Sequence, residues 1–293
     1  MRITRYAFLA STLVCWGSLP SRTAWAQTQT TLSAPAAAIA QILASPDRSE
    51  TDRTNDLRRR PDAMLAFLSL RPGMVAFDLS AANGYTTELL ARAIGNGGTV
   101  YGQSPPASDP SRAPPPPAAP EGNSNPGVTS SAAPAPVRVP RPSPVALADR
   151  EARLKAAGVS AARIVPIIRP FDAPIPPELA HDQLDLVTLM FNYHDLGHLG
   201  VDRTAMNRAV FEALKPGGHY VIADHSGRPG TGISESGTLH RIEEAFLQKE
   251  VEAAGFQLQA EASFLRNPND PRDRNTPDPP QPKDEFVLKF VKP

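Results

Sequence analysis

The run Val75-Ala76-Phe77-Asp78-Leu79 is apolar apart from one carboxylate, which predicts a short strand covered on both faces with an acid inside it that needs a partner. A turn of small residues follows, Ser80-Ala81-Ala82-Asn83-Gly84. Beyond it Tyr85, Leu89, Leu90, Ala93 and Ile94 recur at helical spacing, with Thr86 or Thr87 able to cap the start and Gly95 able to close the end. A second strand runs on to Gln103. This is half of a nucleotide-binding α/β unit, and the bare turn lets a ligand approach the backbone at the strand's carboxyl end.

The alternation extends in both directions. Met64, Leu65 and Leu68 mark the apolar face of a helix beginning near Pro61, and Arg71-Pro72-Gly73 turns the chain into the first strand. Downstream, the patterns predict a helix over 145–157, strands over 163–168 and 184–191, and a helix over 202–214. The turn Lys215-Pro216-Gly217-Gly218 leads to a strand over 219–223, then a helix over 238–254 and closing strands over 256–264 and 285–291. Helices alternating with strands predict a largely parallel sheet covered on both faces.

Composition divides the 293-residue chain. Fourteen of its 33 prolines fall in 104–144, a segment with almost no large apolar residue, which predicts a disordered insertion on the surface, a solvated spacer in preference to a polyproline ligand. Arg2, Arg5, the apolar stretch 7–19 and Ala24-Trp25-Ala26 have the form of a secretory signal over 1–26, so export to the periplasm is expected, followed by a flexible lead-in over 27–44 and a domain over 45–293. Residues 47–55 read as a charged surface segment. No later stretch is long and apolar enough to span a membrane. The sole cysteine, Cys15, lies within the signal and follows Val14, so lipidation, disulfides and thiolate chemistry are excluded from the processed chain.

The formal charge is +0, and removing Arg2, Arg5 and Arg22 with no acid takes it to −3, which does not suggest nucleic acid as a partner. The one basic cluster, Arg58-Arg59-Arg60, is flanked by Asp52, Asp56 and Asp62 and reads as a solvated helix start.

The segment DLSAANG resembles the first motif of class I S-adenosylmethionine-dependent methyltransferases, and the chain from about Pro46 onward resembles a bacterial group of predicted exported methyltransferases. The resemblance implies a Rossmann-like sheet of about seven strands, with an antiparallel strand near the C-terminus, and S-adenosylmethionine as cofactor. The family's turn carries three alternating glycines. Here Ser80 and Ala82 replace the first two, leaving Gly84. By the same resemblance Asp78, Ser80, Asn83 and Gly84 surround the methionine part, the end of the second strand carries the ribose contact, and Asp172 takes the adenine amino group. Gln103 stands where many members have an acid; an amide both accepts and donates there. Asp172 serves equally well as a loop cap after Pro170.

In open α/β sheets ligands sit beyond the carboxyl ends of the strands, and the most polar exit is Asn192-Tyr193-His194-Asp195. Asn192 is a candidate cofactor contact. Methyl transfer needs a positioned acceptor and, for oxygen or nitrogen, loss of a proton, so His194 is the candidate base, with Asp195 and Asp224 as candidate catalytic carboxylates and Asp224 able to orient the ring from the next strand. The bland alternative is that these residues cap loops. His194, Asp195, Asp224 and His225 are possible metal ligands, but their spacing matches no strong signature and no metal is expected. The glycines and serines of 228–237 suit a lid, and His240 beyond it reads as an exposed helix residue. The leading reading is a methyltransferase acting on a small-molecule acceptor; the alternative is a non-catalytic ligand-binding module of the same fold. DLSAANG lacks the spacing of a nicotinamide-binding turn.

Overall fold

Strands apolar on both sides cannot stay in water singly, and here seven of them pair into one sheet: β1 (Val75–Leu79), β2 (Thr99–Ser104), β3 (Arg163–Ile168), β4 (Leu184–Met190), β5 (Leu214–His225), β6 (Gln257–Ala262) and β7 (Glu285–Val291). Their order is β3-β2-β1-β4-β5-β7-β6. β7 runs antiparallel to both β5 and β6, and the pairs from β3 through β5 are parallel. This is the Rossmann-like methyltransferase sheet that the sequence implied. The computed structural model describes residues 1, 36–107, 142–275 and 281–293. The secretory signal, the first part of the lead-in and residues 108–141 of the insertion lie outside the described residues.

Helices cover both faces. On one, α1 (Ala36–Ala44), α3 (Pro61–Leu68), α4 (Tyr85–Ile94) and α5 (Ser143–Ala156) bring Ile39, Leu65, Leu90 and Leu147 against Ala76, Val100 and Val221. On the other, α6 (Asp195–His198), α7 (Arg203–Ala213) and α9 (Glu244–Glu252) bring Leu196, Val210 and Leu247 against Phe77, Val187 and Ile222. Full burial of such a side chain contributes roughly 1.5–3 kcal/mol, and these two layers fix where every strand ends. Among the described residues no helix is long and apolar enough to cross a membrane.

Several elements differ from the sequence reading. The expected lead-in is helical from Ala36, with Ile39 in the core. The segment read as charged surface becomes α2 (Glu50–Arg59), capped by Ser49 accepting from the Asp52 amide; Arg48 and Asp52 are buried because each finds a counter-charge. Arg58 and Arg59 end that helix instead of starting one, and Arg60, at φ +44, joins it to α3. The turn at 215–218 is absorbed into β5, where pairing with β4 shifts between Leu184 and Leu186. The helix expected over 238–254 is broken into α8 (Ser236–Leu239) and α9, because Ile242 bridges to Ser226 as an extended residue and Arg241 is drawn inward to Asp270 at 2.8 Å.

Candidate functional site

The sheet order changes direction at β1: the chain moves outward to β2 and β3, then returns to place β4 on the other side. Ligands of open α/β sheets bind at such a switch point, beyond the carboxyl ends of the two strands. Here those ends are Ser80–Gly84 and Phe191–Asp195.

Ser80, Ala82 and Gly84 adopt φ of +65°, +46° and +77°. A left-handed backbone costs a non-glycine residue about 1–2 kcal/mol. The turn is held from two sides. From β2, the Gln103 carbonyl oxygen accepts from the Ala81 amide at 2.8 Å, while Gln103 Oε1 accepts from the Ser80 amide at 2.9 Å and Nε2 donates to the Arg169 carbonyl at 2.6 Å. From α5, Ser143 Oγ donates to the Ala82 carbonyl at 2.6 Å and Arg150 Nε to that of Asn83 at 2.5 Å. Gly84 lies under α5, where a Cβ would meet Leu147 Cδ2 at 2.6 Å and Arg150 Cδ at 2.8 Å. Its smallness therefore serves helix packing, and Ala82 and Asn83 form the exposed crest. Gln103 is wholly buried with both polar ends bound to protein, so the side chain does not present a free group for ribose.

Asp78 finds its partners below the turn. Thr87 Oγ1 donates to its Oδ2 at 2.6 Å and Thr188 Oγ1 to its Oδ1 at 2.9 Å. Thr87 is thus spent on Asp78, and α4 starts at Gly84 with no side-chain cap. Burial raises the Asp78 pKa to about 6, against the pull of the two hydroxyls.

Arg150 also ties α2 to α4, through Asp52 at 2.8 Å and Glu88 at 2.6 Å. Burial works against the Asp52 carboxylate, but hydrogen bonds and charge from Arg150 outweigh it and hold the group below its ordinary pKa. Asp56 accepts from both Arg48 and the Tyr85 hydroxyl, seating α2 over the start of α4.

A mostly apolar cleft with room for about 20 Å³, little more than one water, lies between α3, the first turn of α4 and the end of β4, lined by Arg59, Met64, Leu65, Tyr85, Met190 and Phe191 among others. The Arg59 guanidinium sits 4.2 Å from the Phe191 ring centroid, and Arg58 bonds Glu285 at 2.9 Å. Arg58 and Arg59 are therefore engaged with acidic and aromatic partners, while Arg60 stays exposed beside Asp62. Phe191 is itself left-handed at φ +59.

Past Phe191 the chain forms a closed charge network. His194 is fully buried; Asp224 accepts from its backbone N–H at 2.8 Å, and Asp224 Oδ1 lies 2.6 Å from Nδ1. The expected orientation of His194 by Asp224 is present in this contact. Nε2 lies 3.2 Å from Asp195 Oδ1, close enough for charge attraction but out of line for a hydrogen bond. Burial disfavours the imidazolium, yet the Asp224 charge and the carboxylates at both ring nitrogens outweigh it, and the pKa is pushed up to about 10. A sealed, protonated ring is not poised to accept a proton at neutral pH, which removes the physical basis for His194 as general base. Asp195 contacts His240 Nδ1 at 3.0 Å and accepts from Asn192 Nδ2 at 3.0 Å. The start of α8 closes over this network: Ser236 Oγ donates to the His194 carbonyl at 2.6 Å.

No protein-family model and no curated protein matches the chain. Solved structures do. A SAM-dependent methyltransferase from Aquifex aeolicus is similar at 13% identity, covering 84% of this chain and 100% of that one, with a TM-score of 0.47. A TehB-like SAM-dependent methyltransferase from Corynebacterium glutamicum is similar at 13% identity over 76% of this chain and 82% of that one, TM-score 0.41. Aeropyrum pernix fibrillarin, in complex with natively bound S-adenosyl-L-methionine, is similar at 15% over 75% and 67%, TM-score 0.41. Likeness at these identities concerns the fold alone.

Of the residues singled out from sequence, Asp78, Ser80, Gln103, Asn192, His194, Asp195 and Asp224 cluster at the switch point. Asp172 is exposed in the loop after β3, and Gly84 faces α5. Sequence reasoning missed Arg150, Arg59 and His240. Glu88 and Arg92, four apart on α4 and bonded at 2.8 Å, were the one local sign of the buried charges around Arg150. His240 is buried at φ +51 instead of exposed on a helix.

Proposed function

We propose that this protein is an S-adenosylmethionine-dependent methyltransferase whose acceptor is a small, largely apolar molecule. The observation that carries the proposal is the backbone of Ser80–Gly84. Two residues that disfavour a left-handed conformation hold it at alternate positions, at the one place in the sheet where topology opens a crevice, and Phe191 does the same just past the end of the facing strand. Strain of this kind concentrates where a ligand approaches backbone.

The residues fit an adenosyl sulfonium in two further respects. Asn192 Oδ1 is buried with no hydrogen-bond partner among the described residues, an acceptor that the amino group of the methionine part would satisfy once it is uncovered. Asp172 offers an exposed carboxylate beyond β3 for the adenine amine. S-adenosylmethionine would supply an electrophilic methyl group at sulfonium. The protein's part is to hold the acceptor in line with it, which alone is worth several kcal/mol of barrier. With His194 sealed from solvent between Asp224 and Asp195, the acceptor must bring an available lone pair, as a thiolate or an unprotonated amine does. The apolar cleft under Arg59 would have to widen to take its body.

One observation favours a second reading, a ligand-binding module without turnover: Gln103 is fully buried and bound to Ser80 and Arg169, so the end of β2 lacks the exposed acceptor that ribose hydroxyls call for. Calorimetric titration of the processed protein with S-adenosylmethionine and S-adenosylhomocysteine separates the two. Saturable binding of either supports the enzyme. Absence of heat at millimolar ligand overturns it and leaves the module.

A further inference from the structure

We infer that His194, Asp195 and His240 form a binding site for one divalent transition-metal ion, of which Zn²⁺ is the type. The three candidate donor atoms lie within 4.8 Å of one another. His194 Nε2 is buried without an aligned partner among the described residues, 3.2 Å from Asp195 Oδ1, and the metal would replace the proton that this nitrogen carries in the metal-free protein. Asp195 Oδ1 in turn lies 3.0 Å from His240 Nδ1. In a tetrahedral zinc site with bonds of 2.0–2.1 Å, neighbouring donor atoms stand about 3.3 Å apart, so two edges of the triangle are already near coordination spacing.

The surroundings are those a metal ligand needs. A carboxylate on one imidazole nitrogen fixes the ring and presents the other nitrogen to the metal, and Asp224 does this at His194 Nδ1, anchored also by the His194 amide. Asn192 steadies the second oxygen of Asp195. His240 sits in a left-handed conformation at the break between α8 and α9, a strained backbone consistent with a fixed position for its ring beside Asp195. Ser236, from the same segment, is bonded to the His194 carbonyl. Two imidazoles and one carboxylate select borderline divalent ions such as Zn²⁺ or Fe²⁺ over Mg²⁺ and Ca²⁺, which prefer all-oxygen shells. The Asp195 side chain is 26% exposed, giving the ion a way in, and three protein ligands leave a fourth position for water or a small oxygen or sulfur donor. Sequence spacing concealed the set because His240 stands 45 residues beyond Asp195.

The test uses the processed full chain without an affinity tag, stripped with a chelator and titrated with ZnCl₂ in the absence of S-adenosylmethionine, so its result is independent of the cofactor reading. Competition with a chromophoric chelator should give one Zn²⁺ per chain at micromolar affinity or tighter. His240→Gly, which suits the left-handed backbone, and Asp195→Asn, which keeps the shape, should each weaken binding at least tenfold and lose the rise in Tm that Zn²⁺ gives the parent protein. No saturable binding by the parent, or unchanged affinity in the two variants with their melting transitions intact, overturns the site.

Discussion

Gln103 Oε1 accepts the Ser80 amide hydrogen at 2.9 Å, so the end of β2 sets the conformation of the turn that follows β1. The same side chain donates to the Arg169 carbonyl beyond β3, which makes one amide the clasp of three strand ends. Gln103→Glu places the acid that the family resemblance implies at this position, but a carboxylate cannot donate to Arg169 and would be charged in a closed space. It should lower unfolding free energy by about 1–3 kcal/mol in urea denaturation at pH 7. An unchanged midpoint would mean that the clasp contributes nothing.

Asp78 makes stability depend on pH in an unusual direction. Burial raises its pKa from 3.8 in the unfolded chain to about 6, so the folded state binds the proton more tightly. The corresponding stabilisation is fully present below pH 3.8 and is lost as pH rises through 6; from the two pKa values it amounts to about 3 kcal/mol. Asp78→Asn has no proton to lose there. The difference in unfolding free energy between parent and variant should therefore shift against the parent between pH 4 and pH 7, and parallel curves for the two proteins would contradict the assignment.

Removing Arg150 strands one acid, Asp52, and leaves Glu88 to Arg92. Asp52 is 4% exposed and pairs with the Arg150 guanidinium, so Arg150→Met should destabilise the fold by about 3–5 kcal/mol, the usual cost of leaving a buried charge unpaired. Adding Asp52→Asn to that variant should restore part of the loss. If the double variant is no more stable than the single one, the cost arises from packing against Gly84 instead of from charge.

What was legible in the chain was what neighbours in sequence decide. α4 falls on Tyr85–Ile94 as its spacing predicted, and β3 and β7 on Arg163–Ile168 and Glu285–Val291, because local periodicity and flanking turns suffice there. The turn after β1 was legible as a site for the same reason. Arg241 was not, since its burial depends on Asp270, 29 residues away, and that pull breaks a helix whose pattern is locally sound. Likewise the contact of Asp224 with His194 could be foreseen from adjacent strand ends, while the consequence for proton affinity needed Asp195 on the ring's other nitrogen. Arg59 illustrates the limit: three consecutive arginines read as solvated until Phe191, just beyond β4, supplies an aromatic face.

Asp78 and Thr188 are register partners in the pairing of β1 with β4. Side chains alternate between the two faces of a sheet, so sliding β1 by a single residue would turn the carboxylate away from both threonine hydroxyls and into the layer of Phe77 and Leu79, where only hydrocarbon awaits it. The costly acid thus acts as a proofreading key: mispaired strands meet a penalty that an all-aliphatic strand would never impose, and the crevice above is assembled in one alignment only.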